Sequence, residues 1–164
     1  MNDNKNKLIE AVKADALNEV ERLLEAADAN MTDERGWPLL LVAIKSGASR
    51  KMVELLLARG ADLTWTTEEG VSLLDEAVEK NRLDLVELFI EKGLDPATTR
   101  RKSGMTVLML AASFDYIEMM ELLFANGADI YAQDEFGWTA ADFAKRLRRE
   151  RASRWIEAKM ENPF

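Results

Sequence analysis

The chain has no cysteine and no histidine. Without thiols it can form no disulfide, no cysteine-based zinc site and no thiol nucleophile. Without imidazole it has no Ser-His-Asp triad, no Cys-His pair and no histidine metal ligand. Three prolines and eight glycines in 164 residues exclude a collagen-like or linker-rich chain. No run approaches the roughly 18 unbroken apolar residues of a membrane span. The opening stretch MNDNKNKLIEAV lacks the apolar segment and small-residue cleavage site of a secretory leader, so a cytoplasmic protein is expected. Neither G-x-x-x-x-G-K-[ST] nor G-x-G-x-x-G occurs to cradle a phosphate. DEFGWTAADF lacks the alternating oxygen ligands and terminal Glu of an EF-hand loop. No metal and no cofactor are expected.

What is present is a chain with 48% hydrophobic residues, enough to bury a sizeable core. The net charge of −8 is unevenly spread: residues 1–99 carry 12 Lys and Arg against 20 Asp and Glu, whereas residues 142–164 carry 7 against 4. An acidic body disfavours nonspecific nucleic-acid binding and favours encounter with a basic protein partner. The basic run KRLRRERASR at 145–154 includes Glu150 and reads as the polar face of a terminal helix rather than a nucleic-acid site.

The dominant feature is internal repetition. VELLLARGADLTWT at Val53 returns as VELFIEKGLDPATT at Val86 and as MELLFANGADIYAQ at Met120, with a weaker copy, VERLLEAADANMT, at Val20. A second half recurs too. Gly36-Trp37-Pro38-Leu39, Gly70-Val71-Ser72-Leu73, Gly104-Met105-Thr106-Val107 and Gly137-Trp138-Thr139-Ala140 each lead to a small residue, Ala43, Ala77, Ala111 or Ala144. Met52, Val53, Leu55, Leu56 and Leu57 form a wide apolar face suited to a helix buried on more than one side. Gly60, Gly93 and Gly127 stand where a left-handed residue would end that helix. The alanines allow neighbouring helices to approach closely. A single unit cannot bury its apolar face, so stacking is obligatory.

In both halves of the motif the chain resembles the ankyrin repeat, over about residues 6–158. The resemblance implies an all-α fold: an ankyrin-repeat solenoid of five helix-turn-helix units with hairpin-like finger loops, forming one domain over 1–164. The units are an N-terminal cap without a finger (6–32), repeats at 33–66, 67–99 and 100–132, and a C-terminal cap (133–160). The threonine-proline-leucine-histidine tetrad of the family is only partially kept. Its histidine is replaced by Leu41, Asp75, Met109 and Asp142, and weaker ties between units are the expectation. The first repeat carries an extra residue in GASRKMV, and the turn from Gly93 to Gly104 is one residue longer than that from Gly60 to Gly70.

The resemblance further implies a protein partner bound on the concave face of fingers and inner helices. Trp37, Glu68, Glu69, Val71, Lys102, Met105, Phe136 and Trp138 fall at variable finger positions, and Phe114 at the end of an inner helix. Trp65 replaces a small finger residue. Large exposed aromatics are typical binding hot spots. Trp155, with Leu147, Ile156 and Met160, is expected to seal the C-terminal cap. The leading expectation is a non-catalytic interaction module, monomeric when unbound, acting as adaptor or stoichiometric inhibitor without contacting nucleic acid or membrane. A narrower version resembles small stand-alone bacterial ankyrin proteins that neutralise a basic toxin enzyme such as a nuclease, since opposite fields speed capture. A rival from another class is an enzyme or small-molecule binder using Glu68, Glu69, Asp75, Glu76 and Glu79.

Overall fold

The computed structural model describes residues 2–162, which contain ten α-helices and no strand. They are α1 (Asn2–Lys13), α2 (Leu17–Leu23), α3 (Leu39–Ser46), α4 (Arg50–Ala58), α5 (Leu73–Glu79), α6 (Leu83–Glu91), α7 (Val107–Ser113), α8 (Ile117–Ala125), α9 (Ala140–Arg146) and α10 (Glu150–Glu161). They form five successive helix pairs, as the repeat predicts. The first helix of the series starts at Asn2, ahead of the expected boundary at 6. The chain divides into two compact units, residues 1–65 with α1–α4 and residues 66–164 with α5–α10.

In the first unit, α3 is apolar on every side, and Leu39 to Ile44 are all buried. It packs against α1, which buries Leu8, Ile9, Ala11 and Val12, and against α4, which buries Met52, Val53 and Leu56. The extra residue in GASRKMV has a structural use. It makes room for Ser49 as N-cap of α4, whose hydroxyl accepts from the Met52 N–H. The helices α2, α6, α8 and α10 begin without a side-chain cap. Ser49 also donates through its N–H and hydroxyl to Asp15 Oδ1, at 3.0 and 2.9 Å. A second tie comes from Asn30, whose Nδ2 donates to the Gly60 carbonyl at 2.9 Å while its Oδ1 accepts from the Asp62 N–H at 2.7 Å.

In the second unit α7 lies between α5 and α9, and α8 between α6 and α10. Ala77, Ala111 and Ala144 are fully buried, as close helix approach requires. The family's histidine positions serve the start of their own helices here. Asp75 and Asp142, at former histidine positions, close capping boxes with Ser72 and Thr139, and Met109 does so with Thr106 through its sulfur. Neighbouring helix pairs are joined by other bonds: Asp115 Oδ1 accepts from the Ala152 N–H at 2.7 Å, and Arg149 Nε donates to the Ser113 carbonyl at 2.7 Å. Successive fingers are stitched by backbone alone. The Lys102 N–H donates to the Glu69 carbonyl at 3.0 Å, and the Glu135 N–H to the Ser103 carbonyl at 2.8 Å.

That stitching brings backbones very close at Gly70. A Cβ there would lie 1.8 Å from the Arg100 carbonyl oxygen, whereas one at Gly137, with a similar φ of +79°, would meet nothing within 4 Å. Gly137→Ala therefore bears only the left-handed backbone cost of about 1–2 kcal/mol, and Gly70→Ala must also push adjacent fingers away from each other. Denaturant unfolding is expected to show Gly70→Ala as the more destabilised by at least about 1 kcal/mol; equal losses would mean the contact relaxes at no cost.

The Asp142 carboxyl is held below the ordinary aspartate value of 3.8, first by the Thr139 N–H and then by the Thr139 hydroxyl. Because the folded value is depressed, the stability contributed by this cap is complete above 3.8 and is lost as pH falls through the lower folded value. Carbon NMR titration should place the Asp142 midpoint below that of an unfolded chain. Thr139→Val, which keeps the N–H, should restore only a fraction of the difference, and full restoration would transfer the effect to the hydroxyl.

Candidate protein-binding face

Each tryptophan finger is closed by an aspartate. Asp33 Oδ1 accepts from the Arg35 and Trp37 N–H groups at 2.8 and 2.9 Å, and the Asp33 N–H donates to the Trp37 carbonyl at 2.9 Å. Asp134 does the same in the second unit, accepting from Phe136 and Trp138 at 2.9 Å each. The carboxylate fixes the backbone from which the aromatic side chain projects.

Trp37 is half-buried. The Arg35 guanidinium lies over its ring, 4.2 Å from the centroid, and Lys45 Nζ approaches to 5.8 Å. Arg35 is anchored in turn by Asp33 Oδ2 at 3.3 Å. Trp138 repeats the arrangement: Arg146 covers its ring at 4.1 Å, and Phe143 packs against it edge-on at 5.6 Å. Such pairs are cation–π contacts. Reading the sequence missed them, although a signal was present. Lys45 and Arg146 occupy the same motif position on their inner helices, and a cation stands there in the two repeats whose finger carries tryptophan; the Val71 and Met105 fingers are matched by Glu79 and Ser113.

The other expected residues divide by exposure. Phe136 is 73% exposed at a finger tip, 6.4 Å from the Trp138 ring, and Phe114 is 40% exposed, stacked at 5.2 Å on Tyr116. Tyr116 is itself tethered, its hydroxyl donating to the Glu79 carbonyl at 3.3 Å. Val71 and Met105 are half-buried, as is Trp65, which follows a turn in which Asp62 Oδ1 accepts from the Thr64 N–H and hydroxyl. Glu68, Glu69 and Lys102 are exposed, with a loose pair of 3.7 Å between the last two.

The basic run Arg100-Arg101-Lys102 is not one patch. Arg101 sits where the two tryptophan fingers carry their closing aspartate, and its side chain turns inward to Asp75 Oδ1 at 2.9 Å, with only 17% and 5% of the two side chains exposed. Thr99 closes this finger instead, donating to the Met105 carbonyl at 2.7 Å and accepting from the Arg101 N–H at 3.1 Å. The acidic set of the middle repeat is split by the same pair. Asp75 has one oxygen on Ser72 and the other on Arg101, Glu76 is buried on α5, and Glu68, Glu69 and Glu79 face solvent. Among the described residues no group of three acidic side chains is arranged to hold a metal.

At the C-terminal end Trp155 does pack inward, its Nε1 donating to Glu121 at 2.6 Å and its ring meeting Phe124 edge-on at 5.6 Å. Leu147 and Met160 do not join it. They are 46% and 40% exposed, which corrects the expectation that they seal the cap.

Comparison with known proteins fits this geometry. The family model for ankyrin repeats, three copies, matches residues 8–100 and 49–134. The chain belongs to the ankyrin-repeat family. It is 32% identical over 118 residues to an ankyrin repeat-containing protein of Treponema pallidum (strain Nichols), covering 71% of this chain and 39% of that one. It is 28% identical over 136 residues to the glycerophosphocholine phosphodiesterase gde1 of Schizosaccharomyces pombe, covering 82% of this chain and 12% of the relative. With the nuclear factor NF-kappa-B p105 subunit of Gallus gallus it shares 30% identity over 129 residues, 76% of this chain and 13% of that protein. The chain thus spans well under half the length of these relatives. No helix among the described residues is long and apolar enough to cross a membrane.

Two ion pairs of the same finger provide a contrast. Arg101→Met leaves the buried Asp75 with only its Ser72 bonds and should cost about 2–3 kcal/mol in denaturant unfolding. Lys102→Met, breaking an exposed pair, should cost less than about 0.5 kcal/mol. Similar values for both variants would show that Asp75 does not depend on its partner.

Proposed function

We propose that this chain is a protein-binding module without chemistry of its own, which acts by occupancy as an adaptor or stoichiometric inhibitor. One observation carries the reading: Phe136 and Phe114, 73% and 40% exposed, stand at a finger tip and at the C-terminal end of the inner helix α7. Large apolar side chains left in water at such positions favour burial by a partner. Glu68, Glu69, Val71, Lys102 and Met105 frame this surface in the second unit. In the first unit Trp37 and Trp65 form the corresponding candidate set. Membership in a family built for protein interaction supports the same reading, and the relatives named above embed such repeats in much longer chains.

The two phenylalanines offer the cleanest test because neither is a core residue. Phe114→Ala/Phe136→Ala should leave helicity and melting temperature close to those of the parent. A partner captured by the parent and identified by mass spectrometry should bind the variant at least tenfold more weakly, hot-spot aromatics being worth roughly 2 kcal/mol each. Equal capture of every protein by both forms would remove these residues from the binding face.

A further inference from the structure

Resting on that reading, we infer that the Trp37 cavity of the first unit receives an acidic side chain of the partner protein, presented beside an apolar one. The cavity has a volume of about 360 Å³ and is lined by Lys13, Arg35, Trp37, Val42, Lys45 and Ser46. That is near the lower end of ligand-sized pockets, which begin at about 300 Å³. Three cations line it, two of them already paired at its edge, Arg35 with Asp33 and Lys13 with Glu10. This is unexpected in a chain of net charge −8.

The cations are held rather than loose. Arg35 is fixed from two sides, its Nε on Asp33 and its plane over Trp37. Its edge is therefore oriented before a partner arrives, which lowers the ordering cost of accepting a carboxylate. Lys13 is steadied by Glu10 at 2.8 Å. Trp37 and Val42 supply the apolar side of the wall, suited to the aliphatic or aromatic neighbour of the acidic residue. The cation stacked on tryptophan recurs in the second unit, where Arg146 covers Trp138 at 4.1 Å.

A nucleic acid fits this cavity poorly. The recess that shares Lys13 and Arg35 is also lined by Glu10, Asp33 and Glu34. A phosphate backbone tracking through both would meet all three carboxylates, whereas a single carboxylate seated in the Trp37 cavity would meet only Asp33 and Glu10, which pair with Arg35 and Lys13. The acidic body and the cationic cavity also act at different ranges. The net charge steers a partner from a distance, and the cavity selects what is seated at contact. A basic or neutral partner with one acidic residue at the tip of a loop satisfies both.

The test is selection of a random-peptide display library on the intact protein, with Lys13→Gln/Lys45→Gln as counter-selection. Enriched peptides should carry Asp or Glu next to an aromatic or aliphatic residue. A synthetic copy should shift the Trp37 indole N–H signal in NMR, assigned with Trp37→Phe. It should bind about tenfold more tightly than its Asn/Gln counterpart, and less tightly as salt rises. Enrichment of neutral or basic peptides that need Trp37 would overturn the acidic assignment while leaving protein binding intact. Peptides indifferent to the lysine and tryptophan changes alike, or no enrichment over the double variant, would overturn the placement in this cavity. Displacement by a thymidine oligonucleotide, or by inorganic phosphate alone, would overturn it in favour of a nucleic acid or a small anion.

Discussion

Each helix pair in this protein presents more apolar surface than it can cover alone, and the architecture follows from that constraint. Inner helices such as α3 and α7 are buried nearly all round, so each must find neighbours to cover it. Such neighbours can pack closely only where the facing residue is small, hence the buried alanines at 43, 77, 111 and 144. Close packing is not directional, and polar bonds must set the register. Both units use an aspartate after an inner helix, Asp15 in the first and Asp115 in the second, to accept from the following helix pair. The first also uses Asn30, whose side chain bonds Gly60 and Asp62 of the following repeat. The second adds a buried carboxylate–guanidinium pair and a backbone seam between fingers.

The same constraint shapes the candidate face. A finger closed by its own aspartate leaves the side chains at its tip free of structural duty, and they are then available for recognition. Phe136 fits that description. Trp37 and Trp138 occupy an intermediate state: half-buried, with one ring face covered by arginine. Such a ring is preorganised, which raises its worth to a partner and limits the directions from which it can be approached. The charge borne by its cover then lies beside any exposed part of the ring.

The repeat was legible from the sequence because it is written in the spacing of glycines, alanines and apolar runs, all set by local backbone and packing rules. The five helix pairs and the left-handed glycines after α4, α6 and α8 follow directly, with φ of 90°, 104° and 99° at Gly60, Gly93 and Gly127. Consequences of missing histidines were less legible, because which residue assumes a lost tie depends on contacts between successive helix pairs. Asp75 could be seen at the histidine position and Arg101 at the finger aspartate position. That these two departures compensate each other appears only when adjacent repeats are in place. Exposure was equally hard to read: a tryptophan and a phenylalanine two residues apart, Trp138 and Phe136, differ because one has Phe143 and Arg146 beneath it and the other has solvent.

The seam between fingers in the second unit has a bearing on how such a protein changes over generations. The Glu69 and Ser103 carbonyls and the Lys102 and Glu135 amides are main-chain groups, present whatever side chain the residue carries. Mutation at 69, 102, 103 or 135 can therefore alter the side chains the fingers present without unfastening the joint, proline at the two donor positions excepted. The glycine at 70 is the opposite case, fixed by the carbonyl pressed against it. Surface chemistry and cohesion are thereby uncoupled in heredity, so a lineage can change what its fingers present by small steps while the scaffold beneath them persists.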